Sequence, residues 1–394
     1  MNNCSRILLA TAITALIGSN QIHADTLSLT DAIAGGNAFG DLRLRYENVD
    51  SGSVESDVLM LRSRVGYKTA VYEGFSALVE FEDARDALGI TEDPNNPNAI
   101  LDAEMTEVDQ GFIQYKNTLL TTKLGRQVIA LDNQRHIGHV GWRNDRQTFD
   151  AARISAEVMT GLKVDAAYIY RVNRINTPVF SDLEETSHKL LNISYASSIG
   201  KIAVYDYELS KEGPFDETST VGLSLNGKTG EDIKISYAFE YAQQDNKTVD
   251  ADTKYMLAEL GVSVVGLTGK LGYEVMGSDA GKESFSTPLA TVHKFAGWAD
   301  VFAAPSLFGS LDGGNGLVDT YASVTGKLAG VKLAAVYHDF ESDELSKDLG
   351  SEIDLLVAKK FSEIYSGGLK YADYSAASGG VDKTVMWAWL GMKF

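Results

Sequence analysis

The feature that most constrains this chain is a period-two alternation of apolar and polar residues. It recurs in about eighteen segments of roughly ten residues, the length a tilted strand needs to cross a bilayer. The last segment, TVMWAWLGMKF, sets Met386, Ala388, Leu390, Met392 and Phe394 on one face and ends on an aromatic. In lipid every backbone N–H and C=O must be paired, so such strands persist only where the last closes on the first. A terminal aromatic on an alternating strand fits that closure.

The connections give the topology. Long polar gaps fall at 49–57, 84–104, 129–146, 173–187, 210–217, 243–253, 277–316, 340–350 and 374–383. Short turns near 70–73, 117–119, 158–161, 196–200, 226–231, 265–268, 326–330 and 361–364 separate them. Nine loops alternating with eight turns predict an all-β, transmembrane antiparallel β-barrel of about 18 strands, with long extracellular loops, short periplasmic turns and both ends periplasmic. A secreted β-sandwich also alternates, but it needs neither alternating loop lengths nor the many outward tyrosines seen here. Near-neutral mean hydropathy is expected, because inward polar residues cancel outward apolar ones.

The N-terminus reads as a secretory signal. Met1 to Arg6 is a short positive start, Ile7–Gly18 an apolar stretch too short to span as a helix, and Ile22-His23-Ala24 a cleavage site. Residues 1–24 are therefore set aside as signal, leaving 25–394 as a single barrel domain. The lone cysteine, Cys4, lies in the signal, which excludes disulfides from the mature chain.

Arginine is distributed unevenly. Past the signal it runs from Arg43 to Arg174 and is absent from 175–394, where lysine takes over. Strand order maps onto position around a barrel wall, so one side of the pore is arginine-rich. Parity directs Arg43, Arg45, Arg62, Arg64, Glu80, Glu82, Arg153, Lys163 and Arg171 into the lumen. Arg126 is grouped with them as pore-lining, although it shares parity with Leu124. A charge facing lipid at the midplane costs about 2–4 kcal/mol, which supports inward placement. Guanidinium forks pair bidentately with carboxylate or phosphate and stay charged, so this wall suits anions. Pairing with lumen acids such as Glu107, Glu157 and Asp165 is the structural alternative.

The loop IALDNQRHIGHVGWRNDR is basic, and Arg135, His136, Arg143, Asp145 and Arg146 are expected to form a constriction by folding inward. His136 and His139 lack a convincing third ligand, so no metal is expected, nor any cofactor. No GxSxG, HExxH or Walker loop is present, and the chain is not read as an enzyme. The net charge of -19 reflects acidic loops, where Asp86, Glu92, Asp93, Glu344 and Asp348 could hold divalent cations beside lipopolysaccharide.

The LRLRYE start at 42–47, GRQ at 125–127, WRNDRQTFDAARI at 142–154 and TPLATVHKFAGWADVF at 287–302 together resemble the alginate-export family of outer-membrane porins. The resemblance covers nearly the whole mature chain. It implies an eighteen-stranded barrel and an electropositive passage for anionic sugars, carried by Arg126, Arg143, Asp145, Arg146, Asp150 and Arg153.

The expectation is thus a monomeric channel of the bacterial outer membrane for passive passage of small anionic solutes, uronates or alginate fragments among them. Its partners would be outer-membrane lipid and lipopolysaccharide, the barrel assembly machinery and the solutes, with no nucleic acid. The alternatives are a general diffusion porin without solute specificity and a surface-exposed adhesin-like barrel.

Overall fold

The computed structural model describes residues 28–394 apart from 53, 88, 90–99, 101, 103, 176–185, 212–215 and 378. The expected signal lies outside the described residues. A short helix, α1 (Leu29–Ala34), leads into β1 (Asn37–Ser51), β2 (Val54–Lys68), β3 (Phe75–Asp86), β4 (Met105–Lys116), β5 (Leu120–Gln127) and β6 (Thr148–Met159). There follow β7 (Leu162–Asn173), β8 (His188–Ser197), β9 (Gly200–Leu209), β10 (Thr218–Thr229), β11 (Lys234–Asn246) and β12 (Ala251–Val264). Then come β13 (Leu267–Met276), α2 (Ala303–Leu307), β14 (Leu317–Leu328), β15 (Val331–Glu341), β16 (Asp348–Lys360), β17 (Tyr365–Ala376) and β18 (Lys383–Lys393).

The eighteen strands form one sheet in which each pairs antiparallel with its chain neighbours, and β1 pairs with β18 to close it. The closing register sets Leu44 opposite Leu390 and Arg45 opposite Trp389. Just beyond it, the Gly40 and Phe394 backbones exchange hydrogen bonds of 2.9 and 3.0 Å. The Phe394 ring lies so close to Gly40 that a Cβ there would sit 2.5 Å from it, so this seam needs a glycine.

Two of the connections expected to be long are tight instead. β1 and β2 are joined through Gly52, at φ 67°, and one further residue, and β11 and β12 through 247–250. The hydrogen-bonded ladders continue there past the apolar band, since polar alternation sustains strand pairing in water as well as in lipid.

Leu61, Val79, Ile113, Leu223, Phe239 and Leu260 illustrate the exposed apolar outer face. The buried apolar residues gather inside the barrel. Ile129, Ile137, Phe285, Leu289 and Phe302 from two connections pack on the wall residues Phe149, Ile169, Tyr255, Phe340 and Trp387. Each such side chain contributes about 1.5–3 kcal/mol by leaving water, so the two connections are held as part of the fold. They also hold each other. Ile137 and Leu289 form a parallel bridge, Gly138 N–H donates to Leu289 O at 2.8 Å, and Gln147 Nε2 donates to the carbonyls of both Gly138 and Leu289.

Candidate functional site

The connection 128–147 crosses the lumen and is anchored at both walls by its own charges. On the far side Arg135 Nε lies 3.0 Å from Glu274 of β13, and His136 Nε2 lies 3.1 Å from Glu240 of β11. On the near side Arg143 Nη1 meets Glu47 of β1 at 2.9 Å. Arg146 Nη2 meets Glu80 of β3 and Asp109 of β4, both at 2.5 Å. Burial alone would lower the Arg143 guanidinium, but Glu47 and Asp300 outweigh it and hold the group above its ordinary value. The same opposition, with Asp109 and Glu80 as partners, raises Arg146.

The arginine wall is largely matched by carboxylates. Arg45 pairs with Glu47 at 3.1 Å and with Asp102, Arg62 with Asp41 at 2.7 Å, and Arg64 with Glu82 at 2.7 Å. Arg153 forks onto Asp165 at 2.9 and 2.7 Å. Arg43 differs. It donates to Trp142 O at 2.9 Å and Asn144 Oδ1 at 2.8 Å, and no carboxylate lies within 4.0 Å of it among the described residues. Lys123, 4.5 Å from the Phe112 ring centre, is likewise without an ion pair among the described residues, as are the inward lysines Lys68 and Lys163. Among the described residues, inward cations without a carboxylate partner thus include Arg43 of β1, Lys68 of β2, Lys123 of β5 and Lys163 of β7.

Two arginines expected in the pore face outward. Arg126 is in register with Gly111 and Asp150, on the face carrying Leu124 and Ile113, which are 60% and 59% exposed. Arg171 follows a bulge at which Asp150 pairs with Arg171 and Ala151 with Ile169, so Tyr170 is extra and parity inverts. Alternation counted along the sequence cannot see that one-residue insertion.

Asp145, within the same connection, is buried, with carboxylate oxygens of Glu82 and Glu107 within 4.8 Å of its own. Arg64 supplies positive charge to that group through Glu82. His136 and His139 do not converge: His136 turns to Glu240 and Tyr205, His139 to Gln134 at 2.9 Å.

Sequence reasoning overlooked the centre of the site. Lys370 of β17 points its Nζ at three indoles, 3.9 Å from Trp298, 4.5 Å from Trp142 and 5.0 Å from Trp387. The same Nζ lies 2.6 Å from His293 Nε2, and His293 Nδ1 lies 2.9 Å from Asp300, which reaches Arg143 at 2.9 Å. Trp142 stacks on His293 at 5.3 Å and 6°. Burial pushes the His293 imidazole down to about 4, with Lys370 adding and Asp300 opposing. Burial would raise Asp300, but His293 and Arg143 hold it well below the usual carboxylate range. The stretches 142–154 and 287–302 thus meet at one point, and the inward parity of Lys370 was the available signal. Trp389 also reaches Trp142, at 5.6 Å, its ring lying over Gly368 where a Cβ would sit 2.5 Å away.

A closed antiparallel barrel with an apolar exterior, a charged interior and inward-folded connections is an outer-membrane porin-type barrel. The chain belongs to the Alginate export family, which matches residues 40–274. Its fold is that of several solved barrels. Pseudomonas aeruginosa OpdK with vanillate superposes with a TM-score of 0.70 at 12% identity, covering 91% of this chain and 98% of that one. Pseudomonas aeruginosa OpdQ gives 0.71 at 13% identity with 93% and 99% covered, and Acinetobacter baumannii OccAB4 gives 0.68 at 12% with 91% and 98%. No curated protein matches the chain in sequence.

Proposed function

We propose that this protein is a passive channel favouring small anionic solutes, and that selection resides in the inward cations lacking a carboxylate. Arg43, Lys68, Lys123 and Lys163 line β1 to β7, the sector that also holds every arginine past the signal, and that group of unmatched cations is the observation that carries the reading. A paired arginine contributes little net field at the scale of a passing ion, whereas an unpaired one acts over about a Debye length, roughly 8 Å at physiological salt. Arg43 beside Trp142, at 5.8 Å from its ring, offers a fork next to an aromatic face. That combination suits a ring-bearing carboxylate, a uronate being one case and an aromatic acid such as the vanillate of OpdK another.

A general diffusion pore is the second reading, favoured by the ion-paired state of Arg45, Arg62 and Arg64. Swelling of proteoliposomes in size-matched glucuronate and glucose separates the two. Faster entry of the uronate, reduced by Arg43→Gln, supports the anion channel. Equal entry supports the general pore, and no entry of either solute means a plugged barrel.

A further inference from the structure

Arg171, which parity misplaced, and Arg126, which was grouped with the lumen against its parity, occupy the outer face of the barrel at its extracellular rim. Arg126 is the penultimate residue of β5 and Arg171 lies two residues from the end of β7. Both flank Asp150 in register, and Arg126 is fixed by Asp150 Oδ1 at 2.9 Å and Val108 O at 2.9 Å. Arg171 is exposed and no carboxylate lies within 4.0 Å of it among the described residues. Two arginines around one aspartate leave a net positive charge. Tyr170 beside them is 40% exposed, and immediately below lies the apolar surface of Leu124 and Ile113. Outward charge costs about 0–1 kcal/mol near the interface and more at the midplane, so the rim is where these residues can be carried.

The surrounding collar has the opposite sign. Outward at the same level on the other side of the barrel are exposed Asp245, Asp252, Asp339 and Glu341. Repulsion from that collar directs an anionic head group to the β5–β7 sector. Two bulges build this sector, one where Glu80 pairs with Gln110 and Phe81 with Val108, the other at Tyr170. Bulges re-aim side chains, and without the second Arg171 would face the lumen.

We propose that Arg171 and Arg126 form a binding site for the phosphate of a phosphorylated glycolipid of the outer leaflet. The guanidinium of Arg171 takes the phosphate oxygens as a fork, Arg126 adds its field from a fixed position, and the Tyr170 ring faces the sugar. The acyl chains lie along Leu124 and Ile113. This site is outside the lumen, so it stands or falls independently of what the channel carries.

The test measures binding of diphosphoryl lipid A and of its enzymatically dephosphorylated form to the purified barrel in detergent, by native mass spectrometry with EDTA present. The expected result is a preference of about tenfold for the phosphorylated lipid. Arg171→Gln, which breaks no ion pair, should abolish most of that preference, and Lys254→Gln on the opposite rim should leave it intact. Retention by Arg171→Gln of the full preference would overturn the proposal. So would complete loss of wild-type binding in EDTA, which would assign lipid attachment to divalent cations on the acidic collar.

Discussion

Lys370 Nζ lies 2.6 Å from His293 Nε2, which joins the barrel wall to the 277–316 connection through a contact that only a neutral imidazole can make. The ammonium donates, so Nε2 must be the accepting nitrogen, and Nδ1–H donates to Asp300. Protonating Nε2 would set two cations against each other. Arg143 adds to that repulsion, while Asp300, Asp354 and Glu47 oppose it.

Docking of this connection should therefore weaken in acid. Docked His293 titrates at about 4 and the free imidazole at 6.5, so the undocked state binds more protons between those values. Stability of the docked loop is full above pH 6.5, falls below it, and by pH 4 has dropped by something on the order of 3 kcal/mol. Trp142, Trp298 and Trp387 surround the contact and report it. Their fluorescence should change between pH 6.5 and 4 while the barrel stays heat-modifiable. A flat signal over that interval would contradict the latch.

Replacing Lys370 by Met should loosen the same connection at neutral pH. It removes three ring contacts, worth about 0.5–2 kcal/mol each, and leaves His293 Nε2 without its donor. Protease cleavage within 277–316 should rise several-fold with little change in barrel melting. An unchanged cleavage rate would mean that apolar packing of Phe285, Leu289 and Phe302 holds the loop unaided.

The arginines should divide into two classes under mutation. Arg64→Gln leaves buried Glu82 and Asp109 short of a partner and is expected to cost about 3–5 kcal/mol, seen as a lowered melting temperature. Arg43→Gln should change stability by less than about 1 kcal/mol, since it strands no carboxylate. Equal destabilisation by both would show that the ion pairs contribute nothing distinctive.

Deleting Phe394 should reduce the folded outer-membrane form rather than the conductance of the channels that do assemble. The deletion removes two backbone hydrogen bonds to Gly40 and opens the β1–β18 seam in lipid. Gly40→Leu should reproduce the defect, because its side chain occupies the space of the Phe394 ring. Wild-type levels of heat-modifiable protein in either variant would count against the seam.

Alternation carried the strand count and the inward direction of Arg43, Arg45, Arg62 and Arg64, because side chains on a strand have a strict period of two. The same rule failed for Arg171, where a single extra residue at Tyr170 reverses the faces. It was also insufficient for Arg126, whose shared parity with Leu124 held while the grouping with lumen residues did not. The partners of the arginines were harder to read. Asp102 and Asp109 lie on or beside β4, and Asp300 comes from a connection far along the chain; spacing has no term for such meetings. Lys370 is a single charge outside the arginine cluster in sequence, and three tryptophans from separate segments make it the centre.

The central claim is that net positive charge unmatched by carboxylates selects anions. It is tested most directly by the reversal potential of the purified protein in a planar bilayer under a potassium chloride gradient. Wild type should reverse on the chloride side of zero. The Arg43→Gln, Lys123→Gln double variant should move toward zero or the potassium side, with the barrel intact. A wild-type reversal on the potassium side, or a double variant identical to wild type, would contradict the account.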